Sequence, residues 1–365
     1  MYPKEMMQQC KKCLLNETVQ EIVFDNEGIC NFCLTWKKLE RQRQLEKANL
    51  PQIIEKIKKT GKGKDYDCLL GMSGGVDSSY LAHLIGQLGL RPLILKFNNH
   101  WNHQFADDNT KRITHTLHFP HFHYILNDQQ NKIYKELQQA FLLAGVINIE
   151  IPTDHLLLAI TYGTAAKFGI KYILSGGNHA TEGIMPESWS YWSGDLKHIK
   201  AIYKQFTKKE LKGLPVCGLL KWNWYKWIKR IKIINLLDYY EYNREEAISL
   251  LKEKYEYIEY GEKHCENIYT QWFQNCYLPI KFGIDKRKAH YSSLINSGQM
   301  TKEEAMKKMT ESVKFRIVIP PAEFVKYPIR SHYSYPNNEK LYKFLCKMVF
   351  YIRKVRRHTS AGVGN

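Results

Sequence analysis

The chain has 365 residues, a formal net charge of +18 at pH 7 and nine cysteines. This length allows a sizeable core with appended modules, and the charge indicates an anionic partner, such as a nucleotide, a nucleotide sugar, a nucleic acid or an acidic membrane surface. The odd number of cysteines and the absence of an apolar leader or of a ~20-residue apolar run argue against a secreted or membrane-spanning protein, so we expect a cytoplasmic location without a transmembrane segment.

Two cysteine pairs stand near the amino terminus. Cys10 and Cys13 form the first CxxC pair, and Cys30 and Cys33 form the second. Two facing CxxC turns supply four thiolates at the corners of a tetrahedron, which is the geometry that structural zinc prefers. A closed set of four leaves no position for a substrate. The sequence therefore predicts a structural zinc ribbon over residues 1–38, followed by a polar helical linker over residues 39–64 that is interrupted at Pro51.

From residue 65 the pattern alternates between strands and helices. Short apolar runs predict strands near residues 66–72, 92–97, 122–126 and 171–175, and helical spacing predicts helices near residues 80–88, 128–144 and 153–168. This alternation predicts an α/β fold with a parallel sheet, helices on both faces and ligands at the carboxyl ends of the strands. We assign residues 65–200 to this domain. Strand signals fade beyond about residue 200, so residues 201–365 are predicted to form a mainly helical substrate or partner region.

A glycine-rich turn joins the first predicted strand to a helix. It consists of Ser73, Gly74, Gly75, Val76, Asp77, Ser78 and Ser79. The glycines let backbone N–H groups approach phosphate oxygens, and the following helix directs its positive end at the same anion. Asp77 is expected to orient the loop or to contact Mg²⁺. The G-x4-G-K-[ST] pattern of a γ-phosphate loop is absent.

Two further segments carry candidate site residues. A second glycine pair follows the last predicted strand, and we expect Ser175, Gly176, Gly177, Asn178 and Glu182 to face the first loop across the nucleotide, although a simple turn is the alternative. Downstream, Lys263, His264, Lys281 and Arg287 fall in one cationic stretch together with Glu266, Asp285 and His290. Cations can stabilise the charge that develops on a transferring phosphate, whereas a solvated surface is the simpler explanation.

The motifs SGGVDSS, GGNHATE, GEKHCENIYT and KFGIDKRKAHYSSLINSGQMTKEEA, with the cysteine pairs, resemble a known family. The chain resembles the PP-loop ATP pyrophosphatases, whose fold is of the adenine nucleotide alpha hydrolase type, and within them the N-acetyl sugar amidotransferases of the WbpG/PseA type. One stretch, Asn98-Asn99-His100-Trp101-Asn102, departs from that family, which tends to have an acidic residue and a glycine before Trp-Asn.

This resemblance implies an ATP- and Mg²⁺-dependent enzyme that adenylates the amide oxygen of an acetamido sugar. Ammonia then displaces AMP to give an acetamidino sugar for lipopolysaccharide O-antigen or a related surface glycan. The implied partners are a separate glutaminase subunit and a cyclase-like subunit of the imidazole glycerol phosphate synthase type. The implied substrate is a nucleotide-linked or acidic sugar, and no nucleic acid is expected.

Three features leave alternatives open. A tRNA-thiolating PP-loop enzyme would also carry CxxC pairs and a basic surface, but Cys68, Cys217, Cys265, Cys276 and Cys346 are scattered without a later CxxC. His115, His118, His121 and His123 form either a metal site or, more simply, a histidine-rich surface connection. The Trp- and Lys-rich segment 222–230 is interpreted as core packing with its cations outward, with a membrane surface, a partner or a sugar as alternatives.

Overall fold

The computed structural model describes residues 7–261, 263–311 and 328–344. Five strands run through it: β1 (Cys68–Gly71), β2 (Pro92–Asn98), β3 (His121–Ile125), β4 (Tyr172–Ser175) and β5 (Lys232–Asn235). The α-helices up to β4 are α1 (Asn31–Glu46), α2 (Leu50–Gly61), α3 (Val76–Gln87), α4 (Gln104–Thr116), α5 (Asp128–Ala144) and α6 (Ile151–Lys167). Those after β4 are α7 (His179–Glu182), α8 (Leu196–Thr207), α9 (Leu219–Asn223), α10 (Arg244–Tyr255), α11 (Ile268–Trp272), α12 (Leu278–Phe282), α13 (Arg287–Asn296) and α14 (Lys302–Thr310).

All five strands form one parallel sheet in the order β3-β2-β1-β4-β5. Buried Leu69 and Leu70 lie on opposite sides of β1, because side chains alternate along a strand. Each of the two residues belongs to a different apolar cluster, so the sheet is covered on both faces. The predicted fold class, an α/β fold with a parallel sheet and helices on both faces, is confirmed.

The sheet also includes one strand that the sequence did not indicate. β5 pairs with β4 although it lies in the region predicted to be helical beyond residue 200. Three of its four residues are exposed, because β5 is an edge strand, and its Lys-Ile-Ile-Asn sequence lacks the longer apolar run that marked the inner strands. The region beyond residue 200 was predicted to be mainly helical, and β5 is the one strand that the described part of it contributes. Residues 312–327 and 345–365 of the predicted helical region lie outside the described residues.

The amino-terminal module packs on two parts of the body. The Ser292 hydroxyl of α13 accepts a hydrogen bond from the backbone N–H of Leu14, and Lys302 donates to the carbonyl of Cys10. On α1, the Trp36 indole stacks on His179 of α7 with ring centroids 4.6 Å apart and donates to its carbonyl. The module therefore holds α7 and α13, two helices that border the candidate site.

Candidate functional site

The site lies where the direction of the sheet order reverses. The chain runs outward from β1 to β2 and β3 and then returns to the other side of β1 as β4. Such a switch point opens a crevice at the carboxyl ends of the two central strands. The loop after β1 meets the loop after β4 there, and a Cβ built on Gly176 would lie 3.0 Å from the backbone nitrogen of Ser78. The two predicted glycine loops therefore face each other closely.

The first loop is held in shape by its own hydroxyl groups. Ser73 Oγ accepts the backbone N–H of Gly75 at 3.2 Å, and Ser78 Oγ donates to the Gly75 carbonyl at 3.2 Å. Gly74 has a φ of +84°, and a Cβ there would lie 2.0 Å from the carbonyl oxygen of Ala106. Only glycine fits such a position. The turn then enters α3 at Val76, so the amino-terminal end of that helix points into the crevice.

A buried lysine supports the loop from below. Lys96 projects from β2, pairs with Asp107 at 2.9 Å and donates to the Ser73 carbonyl at 3.4 Å. Burial lowers the pKa of Lys96, and Asp107 opposes that effect. The ion pair is thus enclosed, and Lys96 joins the loop to α4 as a positioning residue.

Lys263 binds both sides of the crevice. Its ammonium lies 2.9 Å from Asp77 Oδ2, 2.8 Å from Glu182 Oε1 and 2.7 Å from the Thr181 hydroxyl. Burial disfavours the charge of Asp77, but Lys263 and the donating Tyr242 hydroxyl outweigh it and lower the pKa of Asp77. Burial likewise opposes the charge of Lys263, whereas Asp77 and Glu182 outweigh it and raise the pKa of that lysine. Asp77 and Lys263 therefore stay charged at neutral pH, and Lys263 links the two loops through its contacts with Asp77 and Glu182.

A third carboxylate completes the crevice. Glu266 accepts a hydrogen bond from the Tyr260 hydroxyl at 3.3 Å, and its Oε1 would lie 3.1 Å from a Cβ on Gly75. Burial, followed by the charge of Asp77, raises the pKa of Glu266. The segment after β2 holds this residue in place through two backbone hydrogen bonds. The N–H of His103 donates to the Glu266 carbonyl, and the N–H of Ile268 donates to the Trp101 carbonyl.

These groups line a cleft with a volume of about 190 Å³. Its lining consists of Ser73, Gly75, Val76, Asp77, Ser78, Gly176, Gly177, Glu182, Arg244, Tyr260, Lys263, His264 and Glu266. Three carboxyl groups line the cleft beside the glycine loop, against two cations, Arg244 and Lys263, and Lys263 is already shared between Asp77 and Glu182. This donor set fits a divalent cation such as Mg²⁺, which prefers carboxylate oxygens and phosphate.

A second cavity adjoins the cleft and has a volume of about 330 Å³. Arg244 and Lys263 line both spaces. The remaining lining is rich in cations and side-chain amides and comprises Thr181, Glu245, Glu259, Gly261, Gln274, Asn275, Lys286, Arg287, His290, Tyr291, Leu294, Gln299, Met300 and Lys308. Five Lys and Arg side chains against two Glu side chains favour an anionic, hydrogen-bonding ligand of greater size than a phosphate.

Two neutral histidines stand between the cleft and the second cavity. The rings of His264 and His290 lie 5.3 Å apart. Burial, followed by the charges of Lys263 and Lys286, lowers the pKa of His264 to about 3, and burial with His264 and Lys263 lowers that of His290 to about 3. Within the part of the chain that is described, neither ring nitrogen of His290 has a hydrogen-bond partner. Both nitrogens are shielded from solvent, although other atoms of His290 line the second cavity.

The structure brings most of the predicted site residues to these two spaces, but not all of them. Gly74, Ser79, Ser175 and Asn178 line neither space: Ser79 is fully buried inside α3, and Asn178 caps α7 through the backbone N–H of Thr181. Gly74 packs closely on the Ala106 carbonyl, and the Ser175 hydroxyl accepts a hydrogen bond from the backbone N–H of Gly177.

The predicted cations also separate. His264 and Lys263 line the cleft, and Arg287 lines the second cavity, where Asp285 pairs with it at 2.7 Å. Lys281 lines neither space. Its ammonium lies over the Tyr277 ring at 5.6 Å, and its side chain is buried near Gly145. Closeness in sequence placed Lys281 with the others, but it projects from α12, whereas Arg287 begins α13.

Sequence reasoning missed Tyr242, Arg244 and Tyr260, and it named Glu266 and His290 without assigning them to the site. Tyr242 and Arg244 stand where α10 begins, in a segment that carries no motif. Glu266 belongs to the GEKHCEN stretch, in which an acidic residue beside a lysine was the available signal. Tyr260 and Glu266 lie beside Gly75 of the first glycine loop only in the folded chain, since they are almost two hundred residues away from it in sequence.

The cysteine cluster agrees with the predicted zinc ribbon. The four sulfur atoms of Cys10, Cys13, Cys30 and Cys33 lie within 4.8 Å of one another, and all four residues are buried. Asn296 of α13 donates to Cys33 Sγ at 3.2 Å, and the backbone N–H of Cys30 donates to Cys10 Sγ. Buried thiolates that accept hydrogen bonds fit a bound Zn²⁺. Within the described ranges this is the one group in which three or more His, Cys, Asp or Glu ligand atoms lie this close together, and the histidines at 115–123 do not form another.

Comparison with known proteins finds one family. Residues 266–348 match the family model described as LPS biosynthesis protein WbpG-like, C-terminal domain. Over these residues the chain is similar to a WbpG-like carboxy-terminal domain, and the resemblance predicted from sequence is confirmed. A search of curated proteins finds no match.

Three solved structures share weak similarity. They are a predicted subunit of tRNA methyltransferase from Methanocaldococcus jannaschii (15% identity, 51% of this chain and 76% of that chain, TM-score 0.30), NMN synthetase from Francisella tularensis (13%, 52% and 97%, 0.30) and NH3-dependent NAD synthetase from Campylobacter jejuni subsp. jejuni (13%, 60% and 93%, 0.28). At these TM-scores the likeness carries no argument about function. Across the described segments no helix is both long enough and apolar enough to cross a bilayer.

Proposed function

We propose, from the WbpG-like carboxy-terminal domain, that this protein is an ATP-dependent amidotransferase acting on an acetamido sugar. The amide oxygen attacks the α-phosphorus of ATP, a new P–O bond forms, and the bond to the β-phosphate breaks to release pyrophosphate. Ammonia then adds to the activated carbon, loses a proton, and expels AMP with the former amide oxygen. The product is the acetamidino sugar.

The observation that carries this proposal is the pair of adjoining spaces that share Arg244 and Lys263. The cleft presents a glycine loop and a helix amino terminus, which suit the phosphates of ATP. The second cavity presents Lys286, Arg287 and Lys308, which suit a nucleotide-linked or acidic sugar. An acceptor in the second cavity and a nucleotide in the cleft would meet at the shared residues. Adenyl transfer needs this proximity between acceptor oxygen and α-phosphate.

We assign roles to the chain's residues on this basis. Gly75 and Ser73 border the phosphates, and Arg244 offers a cation where the acceptor would meet them. Mg²⁺ would be held by Glu266 and Asp77 and would offset charge on the leaving pyrophosphate. Lys263 neutralises Asp77 and Glu182 and keeps the two loops together. Neutral His290 lines the space proposed for the acceptor without adding charge to it. Lys281 has no role in this scheme.

Ammonia is proposed to come from a separate glutaminase subunit, which acts together with a cyclase-like subunit. The second step needs a neutral amine, and free ammonia is largely protonated at neutral pH. Delivery through a protein partner would keep the ammonia from being protonated in water. The products of this reaction belong to surface-glycan synthesis, in agreement with the description of the matched family.

The test is product analysis with the purified chain, ATP, Mg²⁺, ammonium salt and a set of nucleotide-linked acetamido sugars. We expect AMP and pyrophosphate in equal amounts together with an acetamidino sugar, and no turnover with glutamine until a glutaminase is added. ADP and phosphate as products would refute the mechanism. The tRNA thiolation alternative gains nothing from the structure, since no described cysteine lines either space.

A further inference from the structure

Large apolar side chains are exposed along α9 and the helix that continues it. A π-helix, Trp224–Ile228, follows α9 without a break. Leu220 is 89% exposed, Ile228 69%, Trp227 59% and Trp224 41%. Leu220 lies four residues before Trp224, and Trp227 and Ile228 lie three and four residues after it, which places them on one side of the helix. We refer to these four residues as the tryptophan patch.

The opposite side of the same helix is anchored in the core. Trp222 and Tyr225 are buried, and their rings pack on Tyr162 with centroid distances of 5.1 and 5.6 Å. The interpretation of this segment as core packing therefore holds for these two residues and is wrong for the tryptophan patch. Because the buried side is fixed against α6, the patch is presented by a rigid element.

The chain segment that contains the patch carries charge of a single sign. Residues 211–237 contain no Asp or Glu, and their cations are Lys212, Lys221, Lys226, Lys229, Arg230 and Lys232. Lys221 and Lys226 are exposed on the helix itself, and the Lys229 ammonium lies 4.7 Å from the centre of the Trp224 ring. The helix thus exposes apolar side chains and lysines together.

We propose that the tryptophan patch docks on the surface of an anionic lipid bilayer. Tryptophan rings favour the headgroup region, exposed Leu and Ile enter the acyl boundary, and Lys and Arg are attracted to anionic headgroups. A protein partner fits less well, because interfaces between proteins are depleted in lysine, and lysine is the dominant cation here. The contact is peripheral, with the helix lying in the plane of the membrane. Neither ATP nor a sugar is needed, so binding succeeds or fails independently of the proposed reaction.

The test is co-sedimentation of the full chain with vesicles of phosphatidylcholine containing about one third phosphatidylglycerol. We expect the protein in the pellet, release by salt, weak binding to pure phosphatidylcholine, and a blue shift of tryptophan emission on binding. The double variant Trp227→Ser/Ile228→Ser should stay in the supernatant. Leu45→Ser is the matched control, because Leu45 is 80% exposed on α1, far from the patch in sequence.

A second pair of variants tests the charges. Lys221→Gln/Lys226→Gln should weaken binding about fivefold for each cation removed, and Lys37→Gln/Lys38→Gln, which removes two exposed lysines of α1, should not change it. All these positions are exposed, so thermal melting should match the wild type. A wild-type chain that ignores anionic vesicles overturns the proposal, as does equal binding by the patch variant. Self-association that is lost in the patch variant without any vesicle binding would assign the patch to a protein interface instead.

Discussion

The cleft and the second cavity adjoin, but they are built in different ways. The cleft is built around the backbone of two short glycine loops, each continuous in sequence, which meet at the ends of β1 and β4. The second cavity is made of side chains from segments that are distant in sequence, including Arg244, Lys286 and Lys308. A site made from backbone leaves a recognisable motif, whereas a site made from scattered side chains does not. Substitutions in the cleft should therefore affect the reaction with ATP, and substitutions in the second cavity should affect binding of the acceptor.

The largest effect should come from the cysteine cluster, which supports the second cavity through α13. We expect about one equivalent of zinc per chain. Cys10→Ser should lose the metal and lower the free energy of unfolding by several kcal/mol, since ribbons of this size depend on metal for folding. Metal analysis and thermal melting would measure both.

Cys276→Ser is the matched control for this prediction. Cys276 is half-buried and lies outside the cluster, so its variant should keep its zinc and most of its stability. Full metal content in Cys10→Ser would contradict the zinc assignment. Because Asn296 of α13 donates to Cys33, removal of zinc should also weaken acceptor binding more than ATP binding.

The next effect should be confined to the cleft. Gly75→Ala places a Cβ 2.9 Å from the Tyr260 hydroxyl and 3.1 Å from Glu266 Oε1, in the space that phosphates would occupy. The backbone at Gly75 is extended, so alanine fits the conformation and the fold should persist. We expect a ~10²–10³-fold lower rate of pyrophosphate release, the usual cost of losing preorganised donors.

Gly71→Ala provides the control for the cleft. Gly71 ends β1, two residues before the loop, and a Cβ there meets nothing within 4 Å. Its rate and its melting temperature should both resemble those of the wild type. If Gly75→Ala keeps the wild-type rate, phosphates do not bind at this loop.

These differences explain how far the sequence could predict the molecule. The inner strands and the first glycine loop follow from local patterns, and the structure has them within a few residues of the predicted bounds. Lys281 was grouped with Arg287 because both lie in one cationic stretch, and only folding shows that they face different surroundings. The link from Lys263 to Asp77 crosses from one loop to another, so no local pattern contains it. The edge strand β5 and the exposed side of the tryptophan segment likewise depend on what packs beside them.

A moderate effect should appear as a dependence of stability on pH. His264 and His290 are neutral in the folded chain, with pKa values of about 3, whereas an unfolded histidine titrates near pH ~6.5. As the pH falls below ~6.5 the unfolded chain binds protons that the folded chain does not, so stability is lost progressively towards pH ~3. At about pH 5.5 each of the two histidines should lower the free energy of unfolding by about 1.4 kcal/mol.

Urea unfolding at about pH 7 and about pH 5.5 would measure this loss. His290→Gln should show a smaller difference between the two values than the wild type. His115→Gln replaces an exposed histidine and should leave the difference unchanged. An equal loss in the wild type and in His290→Gln would mean that His290 is not held neutral between the two spaces.

The smallest effect should separate acceptor binding from nucleotide binding. Lys308 lines the second cavity, and its neighbour Lys307 on the same helix does not. Both side chains are exposed, so each substitution removes one charge from α14 without disturbing the core. Lys308→Gln should raise the KM for a nucleotide-linked acetamido sugar about two- to fivefold and leave the KM for ATP unchanged, because an exposed charge contributes little in high dielectric. Lys307→Gln should change neither constant.

Steady-state kinetics at low salt would distinguish the two variants, and raised salt should reduce the difference between their KM values. Equal behaviour of the two variants at low salt would mean that the anionic acceptor does not reach α14.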